Sequence, residues 1–364
     1  MIKFIIRRLY YGFFVLLGVI ALVFFLFNIL PGDPARMMLG QRADISSVQA
    51  INKELGLDKP KHLQLLHFVN DLSPISFHSN NPDNSYWYAD STKYYPFNTI
   101  LSSGETVVLL KKPYLGRSYQ SKRKVSEILG QAFPNTMLLA TVSMVIAVII
   151  SLIVGVASAI KKDSFFDRAA LLVSVLGMSL PSFFAAILIA WLFAYVWSDF
   201  TGLSMFGSLY SVDDFGRGEY LDLKNMILPA ITLGIRPLGV IIELTRSSVL
   251  DVLSQDYIRT ARSKGLSERR VIWRHALRNA LNPIVTTVSG WFASLMAGAV
   301  FVEYIFDWKG IGVVIVDALE KYDFPVIMGS VLFIAILLVI INIFVDIVYA
   351  LLDPRVKLAD LKRH

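Results

Sequence analysis

The chain has 364 residues, of which 55% are hydrophobic and only 17% charged, with a mean hydropathy of +0.57. Soluble globular proteins carry about 25% charged residues, so this composition excludes a set of soluble domains, a disordered chain and a nucleic-acid reader as descriptions of the whole. Zero cysteines exclude disulfides, thiolate metal sites and a thiol nucleophile, and the formal charge of +7 gains meaning only from where it sits.

A bilayer core about 30 Å thick is crossed by roughly 20 apolar residues in helix. Six stretches qualify, at about 9–29, 134–160, 169–197, 226–248, 280–305 and 325–352. The first follows Lys3, Arg7 and Arg8, as a signal peptide would. Its apolar run is longer than an h-region of roughly 7–15 residues, and Asn28 to Asp33 is no small-residue cleavage site, so a retained span is expected. The fourth carries Arg236, Pro237, Glu243 and Arg246 and is expected to be kinked, tilted or buried against neighbours.

Residues 31–133 are too long for a bare connection and require their own order. Ile45, Val48, Ile51 and Leu55 predict a short helix stopped by Gly56. Asp58 is expected to cap a second helix with Pro60 in its first turn and Leu63, Leu66 and Val69 on one face. Residues 73–98 are polar and aromatic with three prolines, and Thr99 to Leu110 reads as a hairpin turning at Ser102-Ser103-Gly104. His62, His67 and His78 lack regular spacing and cysteine neighbours, which favours surface residues over a metal site.

Charge sets the orientation. With the N-terminus inside, segments 1–8, 161–168, 249–280 and 353–364 hold 17 Lys+Arg and 7 acidic residues in 60 positions. The other side, 31–133, 198–225 and 306–324, holds 16 basic and 18 acidic in 150. Both termini are therefore expected in the cytoplasm. The expected layout is span one with its tail (1–30), an external region (31–133), a five-span core (134–352) and a cytoplasmic tail (353–364). The fold class is an all-α polytopic membrane protein of six helices.

The loop 249–280 is the most ordered stretch between spans. Ser254 is expected to cap a helix with Asp256 in its first turn and Lys264 in its last, both favourable to the helix dipole. Gly265 stands where a left-handed residue is wanted. Ser267 is expected to start a second helix with Arg270, Arg274 and Arg278 on one stripe and Trp273, Leu277, Ala280 and Leu281 on the other, lying at the membrane surface. Two readings fit: a basic loop that only enforces topology, or a docking site for a cytoplasmic partner.

Asp256-Tyr257-Ile258-Arg259-Thr260-Ala261-Arg262-Ser263-Lys264-Gly265-Leu266, followed by Arg274-His275-Ala276-Leu277-Arg278-Asn279-Ala280, resembles the EAA loop of binding-protein-dependent ABC importers, and in particular of the peptide and nickel permeases. Leu30 to Pro34, Leu115 to Tyr119, Leu180 to Phe183, Leu228 to Ala230, Glu303 with Gly310 to Gly312, Tyr322 to Pro325 and Leu352 to Arg355 match the same family in order. The N-terminal layout is similar to its B-type subunit. Arg259 stands where the general pattern has Glu, Arg278 where it has proline, and Glu243 where a basic residue is expected. Residues 73–112 are an apparent insertion.

The resemblance implies a type I ABC importer permease moving peptides or a related small solute inward by alternating access. It implies a second permease subunit, two ATPase subunits that bind ATP and Mg, an external substrate-binding protein, and no cofactor, metal or nucleic acid in this chain. It assigns ATPase coupling to Tyr257, Arg259, Thr260, Ala261, Arg262, Lys264 and Gly265, with Ala261 small enough for close approach of a partner. No G-x-x-x-x-G-K-[ST] occurs, so ATP hydrolysis is expected elsewhere. The localisation implied is the bacterial inner membrane.

Arg236, Glu243, Asn342 and Asp346 are substrate-path candidates because intramembrane polar groups usually serve function. The structural alternative pairs Arg236 with Glu303 or Asp346, and treats Asn342 and Asp346 as packing and an end-of-span anchor. Small residues Ala293, Ser294, Ala297 and Gly298 suit close helix packing. A proton- or ion-coupled secondary transporter and a non-transport membrane scaffold are the alternatives from other classes. A membrane hydrolase would need a nucleophile–base pair or an H-E-x-x-H helix, and neither is in the sequence.

Overall fold

The computed structural model describes residues 2–28, 44–54, 56–81, 86–213 and 218–352. The segments 30–34 and 353–355, singled out above, and the rest of the tail 353–364 lie outside them. Among the described residues four helices are long and apolar enough to cross a membrane: Ile6–Phe27, Val125–Ile160, Leu223–Leu253 and Phe324–Ile347. A bent pair, Phe165–Ser179 with Ser182–Val196, gives a fifth if counted as one span. The chain is mostly helical rather than all-α, because residues 75–79, 97–103, 106–111, 210–212 and 219–221 form strands. It divides into two compact units, described separately.

One unit holds Tyr11–Gln131 and Val314–Ile336. It takes in most of α1 (Ile2–Asn28), then α2 (Ile45–Glu54), which ends as expected at Gly56 with φ +66°. Helix α3 (Lys61–Leu72) differs from expectation at its start and in its buried face. Pro60 holds the cap position without a side-chain bond; the Gln64 side chain instead donates to the carbonyls of Leu57 and Lys59 at 3.0 and 2.7 Å. Leu66 and Val69 face outward, and Gln64 and Asp71 are buried.

The reason lies in the insertion. Strands β1 (Ile75–Ser79), β2 (Phe97–Ser103) and β3 (Thr106–Lys111) form an antiparallel sheet of order β1-β3-β2, with the short helix α4 (Ser91–Tyr94) between β1 and β2 in the chain. The β2–β3 hairpin turns through Gly104 at φ +59°, as the sequence predicts. The sheet's inner face presents polar groups to α3. Tyr94 donates to the Asp71 carboxylate at 2.7 Å, and the Lys111 ammonium donates to the Asp71 and Ser73 carbonyls. His67 lies 3.5 Å from Asp71, and His78 meets the Ser76 hydroxyl at 3.0 Å. His67 and His78 are thus interior residues, not surface ones. Burial lowers the pKa of both, that of His78 to about 4, and lowers that of Lys111 to about 8.

In the same unit Asp323 accepts from the Ser118 hydroxyl and from the backbone N–H of Tyr119 and Gln120 at 2.9 and 3.4 Å. The two family-like segments 115–119 and 322–325 are therefore one buried junction.

The other unit holds Met1–Tyr10, Ala132–Val313 and Leu337–His364. It contains most of α5 (Val125–Ile160), then α6 (Phe165–Ser179) and α7 (Ser182–Ile189), which continues as a π-helix over Ala190–Val196. The stretch 169–197, expected as a span, falls on this pair and is bent by 111°. Pro181 forces this: the residue before a proline is pushed out of the helical region, and Leu180 sits at φ −74°, ψ 130°. A two-stranded ribbon, β4 (Tyr210–Val212) with β5 (Glu219–Leu221), precedes α8 (Ile227–Leu253).

Helix α8 is the centre of this unit, with 56% of its apolar window buried against 17–33% for the other three single helices, as its charges lead one to expect. Leu228, Leu233 and Ile241 pack with Leu139, Ala186, Ile284 and Trp308. The Ser151 hydroxyl of α5 donates to the Leu238 carbonyl at 2.9 Å, one residue beyond the in-helix Pro237.

Candidate functional site

Helix α8 ends at Leu253, and only Ser254 and Gln255 separate it from α9 (Asp256–Ser263). Ser254 does not cap α9; its hydroxyl donates back to the Asp251 carbonyl at 2.7 Å, and Gln255 takes the cap position. Two apolar residues three apart hold the helix down. Ile258 and Ala261 are buried against Val271 and Ala276, with Val252, Leu253 and Leu266 around them. Ala261 is thus packed within this chain, where its smallness lets α9 lie close.

Most other side chains of α9 face outward. Arg259 is 81% exposed with only a loose 3.7 Å contact to Asp256, and the Thr260 hydroxyl donates to the Asp256 carbonyl at 3.0 Å. Tyr257 is exposed, and its hydroxyl accepts from the Asn279 amide at 2.9 Å. Lys264 is exposed at the C-cap, and Gly265 follows at φ +76°, a conformation that a side chain disfavours. Across that turn Arg262 grips Glu268 through two bonds of 2.7 and 3.2 Å. The bonding holds the Glu268 carboxyl below its usual range. The result is a two-turn helix fixed on one side and bearing an uncovered, largely basic face on the other.

After Ser267, which starts the next helix without a side-chain bond, a turn at Glu268–Arg270 becomes a π-helix over Val271–Ala276 and then α10 (Leu277–Gly298). Arg270, Arg274 and Arg278 are exposed as the expected stripe has them, and of the opposite stripe only Trp273 departs, where the wider π turn intervenes. Val271, Ile272, Ala276, Leu277 and Ala280 turn inward, while Trp273 is 53% exposed. Further along α10, Thr287, Gly290, Trp291 and Ser294 line an open cavity of about 310 Å³. Ala293 is buried, and the side chains of Ala297 and Gly298 lie outside the described residues.

Arg236 and Glu243 are both exposed on α8, seven residues apart and so on one side of a helix that is otherwise largely buried. Arg236 makes no ion pair among the described residues, so the expected pairing with Glu303 or Asp346 is not formed. Asp346, in the helix Phe324–Leu352, pairs with Arg8 at 2.9 Å, and Asn342 is exposed one turn earlier. No hydrogen bond or ion pair joins these two to Arg236 or Glu243 among the described residues. Arg246, by contrast, is committed to Asp167.

Glu303 lies in α11 (Val300–Ile305), fully buried, and accepts from the Gly312 N–H at 2.6 Å at the start of α12 (Ile311–Glu320). A side chain at Gly310 or Gly312 would collide with its carboxylate, which explains why that loop carries two glycines. The last element is α13 (Phe324–Leu352). Sequence reasoning missed Ile258, Glu268 and Asn279 as supports of α9. The spacing of Ile258 and Ala261 is a visible signal; the partners of Arg262 and Tyr257 are not.

Comparison with known proteins adds family-level findings. The model for "binding-protein-dependent transport system inner membrane component" matches residues 151–358, and the N-terminal model of the same transport-system membrane components matches 1–80. The chain is 34% identical to the dipeptide transport system permease protein DppB of Escherichia coli K12, over 98% of this chain and 99% of the relative. It is equally similar to the di/tripeptide transport system permease protein DppB of Pseudomonas aeruginosa, with the same coverage. The glutathione transport system permease protein GsiC of Salmonella typhimurium is 32% identical over 98% of this chain and 99% of its own length.

Proposed function

This chain belongs to the family of binding-protein-dependent transport system inner membrane components, and on that premise we propose that it is the permease subunit through which an ATP-driven importer moves peptides into the cell. The cargo class follows the peptide and glutathione permeases it resembles along its whole length. It is a translocation subunit; ATP and Mg are bound and ATP is hydrolysed in two separate ATPase subunits. A second permease subunit completes the membrane path, and an external binding protein delivers cargo. The proposed topology has six spans in the inner membrane, counting Leu277–Ile305 and the bent pair, with both termini in the cytoplasm and residues 31–133 outside.

The observation that carries this reading is α9, a helix pinned by Ile258 and Ala261 with its remaining face uncovered. Such a helix transmits force. When paired ATPases close on nucleotide, a rigid α9 seated in one of them is displaced as a body. The Ser254-Gln255 connector passes that displacement to α8. Tyr257, Arg259, Thr260, Arg262 and Lys264 supply the contact face, with Gly265 setting its angle. Ala261 supports them from below. Rocking of α8 moves Arg236 and Glu243 with it; these two and Asn342 are proposed to border the path. Asp346 is proposed to anchor α13 through Arg8.

The test is purification of the tagged chain from its native membrane in mild detergent, with copurifying proteins identified by mass spectrometry. A second six-span subunit and one or two ATPases with a Walker motif are expected. Isolation of the chain alone, with peptide uptake intact after reconstitution, would overturn the proposal in favour of secondary transport.

A further inference from the structure

In the unit formed by Tyr11–Gln131 and Val314–Ile336, several large apolar side chains of α3 and the sheet point outward, among them Leu66 and Val69 on α3, Ile75 and Phe77 on β1, Leu101 on β2 and Leu110 on β3. Each is more than a third exposed. They form one face. Ile75 is the register partner of Leu110, and both Phe77 and Leu101 oppose Val108, so strand alternation places the sheet members together. The opposite sheet face carries Ser76, His78, Leu109 and Lys111, all buried.

Helix α3 continues this face. The Asn70 side chain makes both hydrogen bonds that a neighbouring strand would make to Phe77, donating to its carbonyl at 2.9 Å and accepting from its N–H at 2.8 Å. At 100° per residue, Leu66 and Val69 occupy the sector of α3 between Asn70 and Phe68. Phe68 in turn packs on Phe24 of α1, ring centroids 6.0 Å apart. Phe24 lies inside the apolar stretch Ile6–Phe27 that is long enough to cross a membrane, and its neighbours Leu22 and Phe25 are exposed. The apolar face is thus connected through Phe68 to the outer surface of a membrane helix. Lys61 and Lys112 stand exposed at its edges.

An apolar face with basic margins, continuous with a spanning helix, matches the chemistry of the bilayer interface. We propose that α3 and the outer sheet face are seated in the interfacial layer of the membrane. Their apolar side chains meet the upper acyl chains, and Lys61 and Lys112 meet phospholipid headgroups. The lipid is the occupant favoured over a protein because α1 already holds this unit at the bilayer, whereas nothing about the face calls for a second macromolecule.

The absence of native cysteine in this chain makes the test direct. Leu66→Cys, Phe77→Cys and, as a control, Ser91→Cys would each carry a fluorophore. Ser91 is exposed on α4, whose Tyr94 ring lies over Lys111 on the opposite sheet face. The complete transporter, with cysteines of any other subunit replaced, is placed in nanodiscs of phosphatidylethanolamine and phosphatidylglycerol, with or without lipid spin-labelled near the headgroup. Labels at positions 66 and 77 are expected to lose most of their emission to the spin-labelled lipid, and the label at 91 to keep it. A Leu110→Cys label provides an independent reading if either position impairs assembly. Labels at 66, 77 and 110 that ignore the lipid quencher and respond to an aqueous one would overturn the proposal. So would labels shielded only on addition of the external binding protein, which would make the face a protein-docking surface.

Discussion

Arg246 closes a two-point grip on Asp167, Nε to Oδ1 at 2.6 Å and Nη2 to Oδ2 at 2.7 Å. The carboxylate also accepts from the Asp163 N–H at 2.9 Å, and the Asp167 N–H donates to the Ser164 cap at 3.3 Å. One nearly inaccessible acid therefore organises the α5–α6 connection and fastens it to α8.

Breaking that pair from one side leaves a buried charge without its partner, which costs about 3–5 kcal/mol. Asp167→Ala and Arg246→Ala are each expected to lower the thermal stability of the purified protein strongly. The double variant should lose less than the sum of the two, since neither orphan charge remains. Additive losses in a melting series would show that the two side chains act independently.

Helix α9 separates fold from contact on its two faces. Ile258→Ala removes a fully buried side chain and should cost about 2–5 kcal/mol. Arg259→Ala, at an 81% exposed side chain, should leave the melting temperature within experimental error. If α9 couples to an ATPase, Arg259→Ala nonetheless weakens copurification of that subunit and slows uptake. Unchanged association and uptake in a stable Arg259→Ala variant would remove Arg259 from the contact face.

His78 makes the sheet-bearing unit acid-sensitive. Its ring is 3% exposed, Nδ1 has no partner among the described residues, and burial holds its pKa near 4 against 6.5 when unfolded. The nearby Asp71 pulls the value up, while Lys111, His67 and Lys93 push it down. A depressed folded pKa means that the unfolded chain takes up the proton first. Stability is therefore complete above pH 6.5 and falls between 6.5 and about 4, by at most about 3 kcal/mol. His78→Phe should flatten that decline in amide-exchange protection of β1 and β3; an identical decline would place the sensitivity elsewhere.

The loop after α11 depends on space as much as on bonding. A Cβ at Gly312 would lie 2.5 Å from the Val300 Cα and 2.7 Å from Glu303 Oε2, so Gly312→Ala should destabilise by roughly 1–3 kcal/mol or more. Glu303→Gln retains an acceptor for the Gly312 N–H and should cost less than Gly312→Ala. The reverse order in a detergent melting experiment would contradict this packing.

The features legible in the sequence were those carried by local pattern. The apolar runs gave the long helices, Gly56, Gly104 and Gly265 marked turns of positive φ, and the loop motif located α9. The all-α description missed the sheet context because β1 is only five residues long and its partner β3 lies beyond an intervening helix. The buried face of α3 was misread for a similar reason. Asp71 goes inside because Tyr94 and Lys111, distant in sequence, offer it partners, while Gln64 meets the Leu57 and Lys59 carbonyls and His67 meets Asp71 and the Tyr86 carbonyl. The bend at Pro181 is readable from its residue type, whereas the apolar continuity of 169–197 across it shows only a stretch long enough to span. Pairings such as Arg246 with Asp167, 79 positions apart, have no local signature.

The burial of α8 also bears on how the protein is made. Placing an arginine at the centre of a lone helix costs about 2.5–3.5 kcal/mol on entry into the bilayer, and α8 carries Arg236 near its middle with the lowest apolarity of the four single candidate spans. Its insertion then depends on neighbours. Helices α5 and α6 emerge from the ribosome first and can receive it, through Ser151 at Leu238 and Asp167 at Arg246. Helix α10 arrives only afterwards to cover the other flank. A nascent chain stopped before α10 should leave α8 exposed to membrane quality-control proteases, which makes the order of synthesis part of how this charged helix comes to rest in lipid.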